Sequence, residues 1–412
     1  MTRLSGVRVL IVGSGGREHA LAWKLSQSDR LDELHAAPGN PGIAGLGECH
    51  PVRAEDADGL LALAQALEIE LVVIGPEVPL VAGVSDPLRH AGISVFGPSA
   101  AAARIEGSKA FAKEVMEAAG VPTAATIAIA RPPCVVKVDG LAAGKGVFVC
   151  RTQEELDAGL LAASAHGGPP VIEELLEGDE LSVFALTDGN RTIPLAAARD
   201  YKRVGDGDTG PNTGGMGAYS PVSSPGEADV AELVERIHRP VLDELARRGA
   251  PFQGVLFAGL MLTSEGPQVL EFNCRFGDPE TQSILPRLDG DLLTALADAA
   301  RGDLRDVLLT AAQRAAVTVV VAGGSYPEEN DSGAPIAGVD EAEELGALVF
   351  HGGTARRGDR LVTNGGRILG VTGVADDLDQ ARALAYDGVA RISFEGARHR
   401  RDVALGETTR VH

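Results

Sequence analysis

Gln268-Val269-Leu270-Glu271-Phe272-Asn273-Cys274-Arg275-Phe276-Gly277-Asp278-Pro279-Glu280 is the stretch on which both fold and chemistry turn. Read at the strand period of two, Leu270, Phe272, Cys274 and Phe276 share one face, and Glu271, Asn273 and Arg275 the other. The first face is ordinary packing. On the second, a carboxylate, an amide and a guanidinium in succession are costly unless they meet a ligand or water. Glu and Asn supply the oxygens that a hard cation such as magnesium takes, and Arg suits an anion held beside it. Taken alone, the pattern also fits an edge strand with a solvated polar face.

Outward from this stretch, the length of 412 residues points to about three domains. Apolar residues make up 44%, enough for several cores, and 52 glycines with 4% aromatics suit an α/β enzyme rich in close backbone turns. No run approaches the roughly 18 apolar residues of a membrane span. Val9-Leu10-Ile11-Val12 is cut short by Gly13, Arg17 and Glu18, so it reads as a first strand and not a signal peptide. The four cysteines show no CxxC pairing, which indicates neither a zinc site nor a disulfide framework and makes the cytoplasm the expected home. The net charge of −21 opposes nucleic acid and anionic membrane as partners. Anionic small substrates must therefore be gathered by local Arg, Lys and backbone N–H groups.

At the amino terminus, Val7 to Val12 reads as a buried parallel strand and Arg17 to Ser26 as the helix after it. Gly13-Ser14-Gly15-Gly16 between them lets backbone N–H groups approach an anion at the positive end of that helix. The dinucleotide fingerprint fails here, because Glu18 stands where the third glycine belongs. The second strand, moreover, ends in Pro38-Gly39-Asn40 instead of a ribose-binding carboxylate. A phosphate-bearing substrate at Gly15 and Gly16 and a purely structural turn both stay open. Leu71 to Ile74 and Ile93 to Phe96 repeat the strand-and-glycine pattern, giving a doubly wound domain with ligands at the carboxyl ends of the strands, where Glu77 lies.

Ser108 predicts a helix cap and Gly120 its end. Lys109 in the first turn opposes the macrodipole, which suits a lysine reaching for phosphate or one snorkelling to the surface. Strands around Val135–Asp139 and Gly146–Cys150 flank Gly140-Leu141-Ala142-Ala143-Gly144-Lys145, a hairpin suited to folding over a triphosphate as a flap, with Lys137 facing the same cleft. In the stretch 171–180 the main chain suits adenine and Glu180 suits ribose hydroxyls, or else the stretch is an acidic surface turn. The segment 200–217 has no periodic apolar pattern and reads as an ordered substrate-binding loop. A helix is expected over 229–248, a strand over 254–262, and after 316 an α+β module with Asn364-Gly365 as a hairpin turn.

Together these motifs resemble the phosphoribosylamine–glycine ligase family of the ATP-grasp superfamily, essentially end to end. The most specific are Asp208-Thr-Gly-Pro-Asn-Thr-Gly-Gly-Met-Gly-Ala-Tyr-Ser-Pro221 and Glu271-Phe-Asn-Cys-Arg-Phe-Gly-Asp-Pro-Glu280. The resemblance implies a doubly wound N-terminal substrate domain (1–97) and an ATP-grasp large lobe (98–122 and 186–312). It also implies a small lobe (123–185), trimmed relative to the family before 135 and before 171, and a C-terminal α+β domain (313–412). It implies ligation of glycine to 5-phosphoribosylamine with ATP and Mg2+ or Mn2+, by a monomer or weak dimer. By position, Lys109, Lys137 and Lys145 meet phosphates, Glu173, Glu174 and Leu176 the adenine, and Glu180 the ribose. Glu271 and Asn273 hold the metal. Arg275 and Lys145 are the catalytic pair. Gly15, Gly16, Asn40 and Glu77 face substrate, as do Asp200, Asn212, Thr213, Gly214, Arg275 and Asp278. Another ATP-grasp carboxylate–amine ligase or carboxylase with a different acceptor is the alternative.

Overall fold

The computed structural model describes residues 6–142, 144–165 and 169–407; Ala143, at the tip of the expected flap, lies outside them. The chain opens with β1 (Val7–Gly13), α1 (Gly16–Leu25), β2 (Leu31–Pro38), β3 (Glu48–Cys49), β4 (Leu71–Ile74) and β5 (Ser94–Phe96). They form a parallel sheet in the order β3-β2-β1-β4-β5. β1 and β4 are almost wholly buried, as a run of Val, Leu and Ile covered on both faces requires. The strand order reverses between β1 and β4, so Gly13–Gly16, Pro38-Gly39-Asn40 and Gly75-Pro76-Glu77 gather at one crevice.

Glu18 explains why this turn departs from the dinucleotide pattern. Its carboxylate folds back under the turn, accepting from the Gly15 N–H at 2.6 Å and from Arg17 Nε at 2.5 Å. The protein's own anion thus occupies an amide that a dinucleotide phosphate would use. Gly13 and Gly75 leave the room: a Cβ on Gly75 would lie 2.0 Å from Glu18 Oε1 and 2.6 Å from Glu18 Cγ.

Ser108 accepts from the Phe111 N–H to cap helix Lys109–Ala119, and Gly120 ends it in the left-handed conformation. Next come β6 (Cys134–Lys137), β7 (Val147–Cys150) and β8 (Val171–Glu174), a three-stranded sheet backed by the single helix Gln153–Ser164 over a small core of Cys134, Val136, Val138, Cys150, Leu156 and Ala163. The chain continues through β9 (Asp179–Thr187), β10 (Thr192–Pro194), β11 (Arg199–Asp200), β12 (Arg203–Gly205), β13 (Thr209–Asn212), β14 (Gly217–Ser220), β15 (Gly254–Thr263) and β16 (Gly266–Asn273). An antiparallel sheet in the order β10-β9-β15-β16 carries Glu271 and Asn273 on its edge strand. The helix expected over 229–248 is interrupted by a wide turn at Val234–His238, where Pro240 lacks the N–H a regular ladder needs.

The long loop is more regular than its sequence suggests. β12 and β13 pair with each other, while β11 and β14 join Ala315–Ala322, Arg367–Ala375 and Leu348–His351 in a five-stranded sheet. One correction concerns Asn364-Gly365, which makes no hairpin. Arg360–Gly365 pairs with Asp331–Pro335 and Thr354–Arg357, whereas Arg367–Ala375 belongs to the five-stranded sheet. The chain changes sheets because Gly353 crosses at this corner, so close that a Cβ on Gly365 would sit 2.8 Å from its Cα. Among the described residues no helix is long and apolar enough to cross a membrane.

Gly75→Ala is expected to cost about 1–3 kcal/mol by overpacking against the fixed Glu18 side chain. A lowered thermal midpoint without loss of the folded baseline is the expected readout; an unchanged midpoint would mean that Glu18 is not held under the turn.

Candidate active site

Arg275 leaves β16 into a cage of acceptors. Its Nη2 donates to Glu106 Oε1 at 2.9 Å and to Asn273 Oδ1 at 3.1 Å, its Nε to Glu77 Oε2 at 3.2 Å, and its Nη1 to the Phe276 carbonyl at 3.2 Å. Glu106 also takes the Cys274 N–H at 2.7 Å. Burial pushes the Glu77 carboxyl up, but Arg275 and Arg17 outweigh it and bring the group down to about 2. Arg275 is therefore a fixed cation whose direction is set by two carboxylates from the doubly wound side of the molecule.

Two residues before it, at the end of β16, Asn273 is buried, and its Nδ2 has no hydrogen-bond partner among the described residues. Glu271 is half-buried, and its carboxylate has no hydrogen-bond or ion-pair partner among the described residues. Burial raises its pKa, yet Lys202, Lys109, Lys137 and Arg275 together lower it below the ordinary value. An ionised, unpartnered carboxylate next to an amide oxygen with a lone pair to spare is the donor chemistry of a hard divalent cation. The residues fit such an ion.

The hairpin between β6 and β7 lies against the 200–217 loop. A Cβ on Gly144 would meet the Thr213 carbonyl oxygen at 2.7 Å, and Asn212 Nδ2 donates to the Val147 carbonyl at 3.4 Å. Lys109 Nζ reaches the Gly140 carbonyl at 3.2 Å, and Lys145 Nζ reaches past the loop to the Pro327 carbonyl at 2.6 Å. Lys137 Nζ donates to the Leu270 carbonyl at 2.8 Å and pairs with Glu173 at 2.5 Å. Glu173 also neutralises Lys113 at 2.8 Å, and Glu174 takes the Ala125 N–H at 2.7 Å. Both carboxylates are thus engaged within the protein, and the main chain of Glu173 and Glu174 pairs with β6 and with Ala125, while Leu176 beyond them is half-buried.

Sequence reasoning missed Lys202. Its ammonium pairs with Glu180 and lies in the field of Asp200 and Glu271. It opens Lys202-Arg-Val-Gly205, one of the stretches that resemble the ligase family, but was given no role there. Glu280 is buried and accepts from Ser182 Oγ at 3.2 Å. Burial raises the Asp200 pKa to about 7, with Lys202 opposing and Glu280 and Glu180 adding to the rise.

A second group of expected residues borders a cavity of about 570 Å³ between the Gly13–Gly16 turn and the C-terminal sheet. Gly15, Gly16, Asn40 and Asp278 line it, with Gly353, Thr354 and Arg367 opposite. Asn40 Nδ2 donates to the Ser14 carbonyl at 2.9 Å and the His351 carbonyl at 2.7 Å, so its side chain braces the wall. Arg367 was not anticipated: it pairs with Asp278 at 2.9 Å and donates to the Gly214 carbonyl at 2.6 Å. Thr213 Oγ1 pins the loop by donating to the Lys202 carbonyl at 2.8 Å.

Comparison with known proteins bears on what such a site does. Family models described as the N domain, the ATP-grasp (A) domain and the C domain of phosphoribosylglycinamide synthetase match residues 7–106, 107–281 and 316–406. A phosphoribosylamine–glycine ligase of Streptomyces coelicolor is 51% identical over 97% of this chain and 99% of its own. The crystal structure of a phosphoribosylamine–glycine ligase from Thermotoga maritima superposes with a TM-score of 0.83 at 36% identity, covering 97% of this chain and all (100%) of that one. A biotin carboxylase domain from Hydrogenobacter thermophilus, crystallised with MgADP, shares the fold at a TM-score of 0.71 and 16% identity over 96% and 92% of the two chains.

Because the folded-state pKa of Asp200 lies above its unfolded value, the folded protein holds an extra proton between about pH 4 and 7. Its ionisation in the fold costs stability as pH rises through that window. Asp200→Asn should therefore gain thermal midpoint relative to the parent on going from pH 5 to pH 8; a difference that stays constant over that range would show Asp200 ionised throughout.

Proposed function

The chain belongs to the phosphoribosylglycinamide synthetase family, and from that premise we propose that it ligates glycine to 5-phosphoribosylamine at the expense of ATP, in purine biosynthesis. The observation that carries this reading is Glu271, a carboxylate with no hydrogen-bond or ion-pair partner among the described residues that lies in the field of Lys202, Lys109, Lys137 and the caged Arg275. In this reading glycine's carboxylate oxygen attacks the γ-phosphorus of ATP, ADP leaves, and a glycyl phosphate forms. The amine of phosphoribosylamine then attacks the acyl carbon, phosphate departs, and the nitrogen sheds a proton, for which the Asp200–Glu280 pair is the acceptor. Two anions must approach each other in the first step, so positioning and fixed charge carry most of the acceleration.

Family membership implies a divalent metal, and we assign magnesium, or manganese, to Glu271 and Asn273. When bound, it would neutralise charge on the transferring phosphoryl group. Arg275, Lys109, Lys137 and Lys202 orient the same oxygens from the protein side. Lys145, on the flap, screens the triphosphate from water when the hairpin is down. The main chain at 173–176 takes the adenine and Glu180, next to Lys202, the ribose. The cavity bounded by Gly15, Gly16, Asn40, Asp278 and Arg367 receives the phosphoribosyl end of the acceptor. A monomer or weak dimer is part of this reading, and four unpaired cysteines suit the cytoplasm.

ADP release should require glycine and 5-phosphoribosylamine together. Glu271→Gln should lower kcat on the order of 10²-fold and shift the metal dependence to higher concentration; near-normal turnover at limiting magnesium would dismiss the metal assignment. Lys145→Ala should raise the KM for ATP and leave that for glycine in place, and an unchanged ATP value would remove the flap lysine from the nucleotide site.

A further inference from the structure

A second constellation lies at the open edge of the N-terminal parallel sheet, where β2 and β3 pair with His35 opposite Glu48. The period of two puts Glu33 and His35 on one face of β2, and Glu48 and His50 on the matching face of β3 and the residue beyond it. Among the described residues, ligand atoms of His35, Glu48 and His50 lie within 4.8 Å of one another. We propose that these three residues form a binding site for a divalent transition-metal ion of the zinc class, separate from the Glu271 site in place and in donor chemistry.

Two features suit a shared ion, though the same two ring nitrogens also stand at hydrogen-bond distance from each other. First, His35 Nε2 stands 3.2 Å from Glu33 Oε2. An ionised carboxylate only accepts, so Nε2 carries the proton and Nδ1 turns its lone pair towards His50. A carboxylate behind a histidine is the outer support that fixes the ligating tautomer in metal sites. Second, His35 Nδ1 and His50 Nε2 are 3.1 Å apart. Zinc–nitrogen bonds of about 2.0–2.1 Å at a tetrahedral angle set two imidazole nitrogens about 3.3 Å apart, so the pair needs almost no movement to share an ion. Glu48, exposed, completes a His₂Glu set with a fourth position left for water. Two nitrogens and one carboxylate favour zinc over magnesium.

The consequence reaches the cavity. β2 runs from His35 into Pro38-Gly39-Asn40, which line it, and Cys49 between the two ligands packs against Gly39. An ion clamping β3 to β2 would hold that turn from behind.

The untagged full chain, stripped with a chelator, should bind one equivalent of zinc by calorimetry and show a raised thermal midpoint. Cobalt(II) should give the intense visible bands of a tetrahedral site. His50→Ala should abolish all three signals. Glu48→Gln, at an exposed position, should weaken binding even if the histidine variant folds poorly. Glu33→Gln should weaken it about 10- to 100-fold, and Glu271→Gln should leave it unchanged. Absence of zinc binding in the parent chain, or binding equal in the parent and the Glu48→Gln and Glu33→Gln variants, would overturn the proposal, the latter marking an adventitious ion only.

Discussion

The guanidinium of Arg275 is the join on which the molecule depends. It takes Glu77 from the end of the first domain's sheet, Glu106 from the helix that leads out of that domain, and Asn273 from the strand bearing the site. Buried ion pairs of this kind add little net stability, because desolvation consumes most of the attraction. Removing one partner is another matter, since it leaves a buried charge uncompensated at a cost of about 3–5 kcal/mol. The cage therefore acts as a register lock. It fixes where β16 ends relative to the crevice, and with it where Glu271 and Asn273 point.

That lock also resolves an electrostatic tension. The chain carries a net charge of −21, and the phosphate-bearing reactants of the proposed ligation are anions. Along β16, however, four cations converge on one carboxylate strongly enough to keep it ionised in spite of burial. Asp200 and Glu280 are pushed the opposite way by burial, Asp200 up to about 7. Neighbouring carboxylates with opposed shifts mark a division of labour that bulk charge does not reveal.

The sheet elements were legible because their signals are local. β4 falls on the apolar run Leu71–Ile74 as read, and Ser108 and Gly120 bound their helix as the capping rules require. The alternation holds from Glu271 to Phe276, with Phe272, Cys274 and Phe276 in the core, but a register shift before Glu271 puts Val269 into the core and leaves Leu270, read as a core residue, half-buried. What escaped was set by contacts distant in sequence. Lys202 gains meaning only when β11 and the loop after it bring its amine to Glu180 and Glu271. Arg367 matters because the C-terminal sheet turns it onto Asp278 and Gly214, 89 and 153 residues away. Asn364-Gly365 looked like a hairpin because turn chemistry is local, whereas the crossing of Gly353 that splits the two strands is not.

The C-terminal module consequently does more than append a compact fold. β11 and β14 are drawn from the middle of the chain into its sheet, so the 200–217 loop is anchored at both ends to the layer that also bears Arg367. The hairpin rests on that loop at Thr213, and Lys145 passes over it to Pro327. A displacement of the flap is then felt by the loop, and through Gly214 and Arg367 by Asp278 at the cavity wall. In the proposed reading, in which the hairpin covers nucleotide and the cavity takes the acceptor, the two share one mechanical element, a physical route by which occupancy of one would order the other.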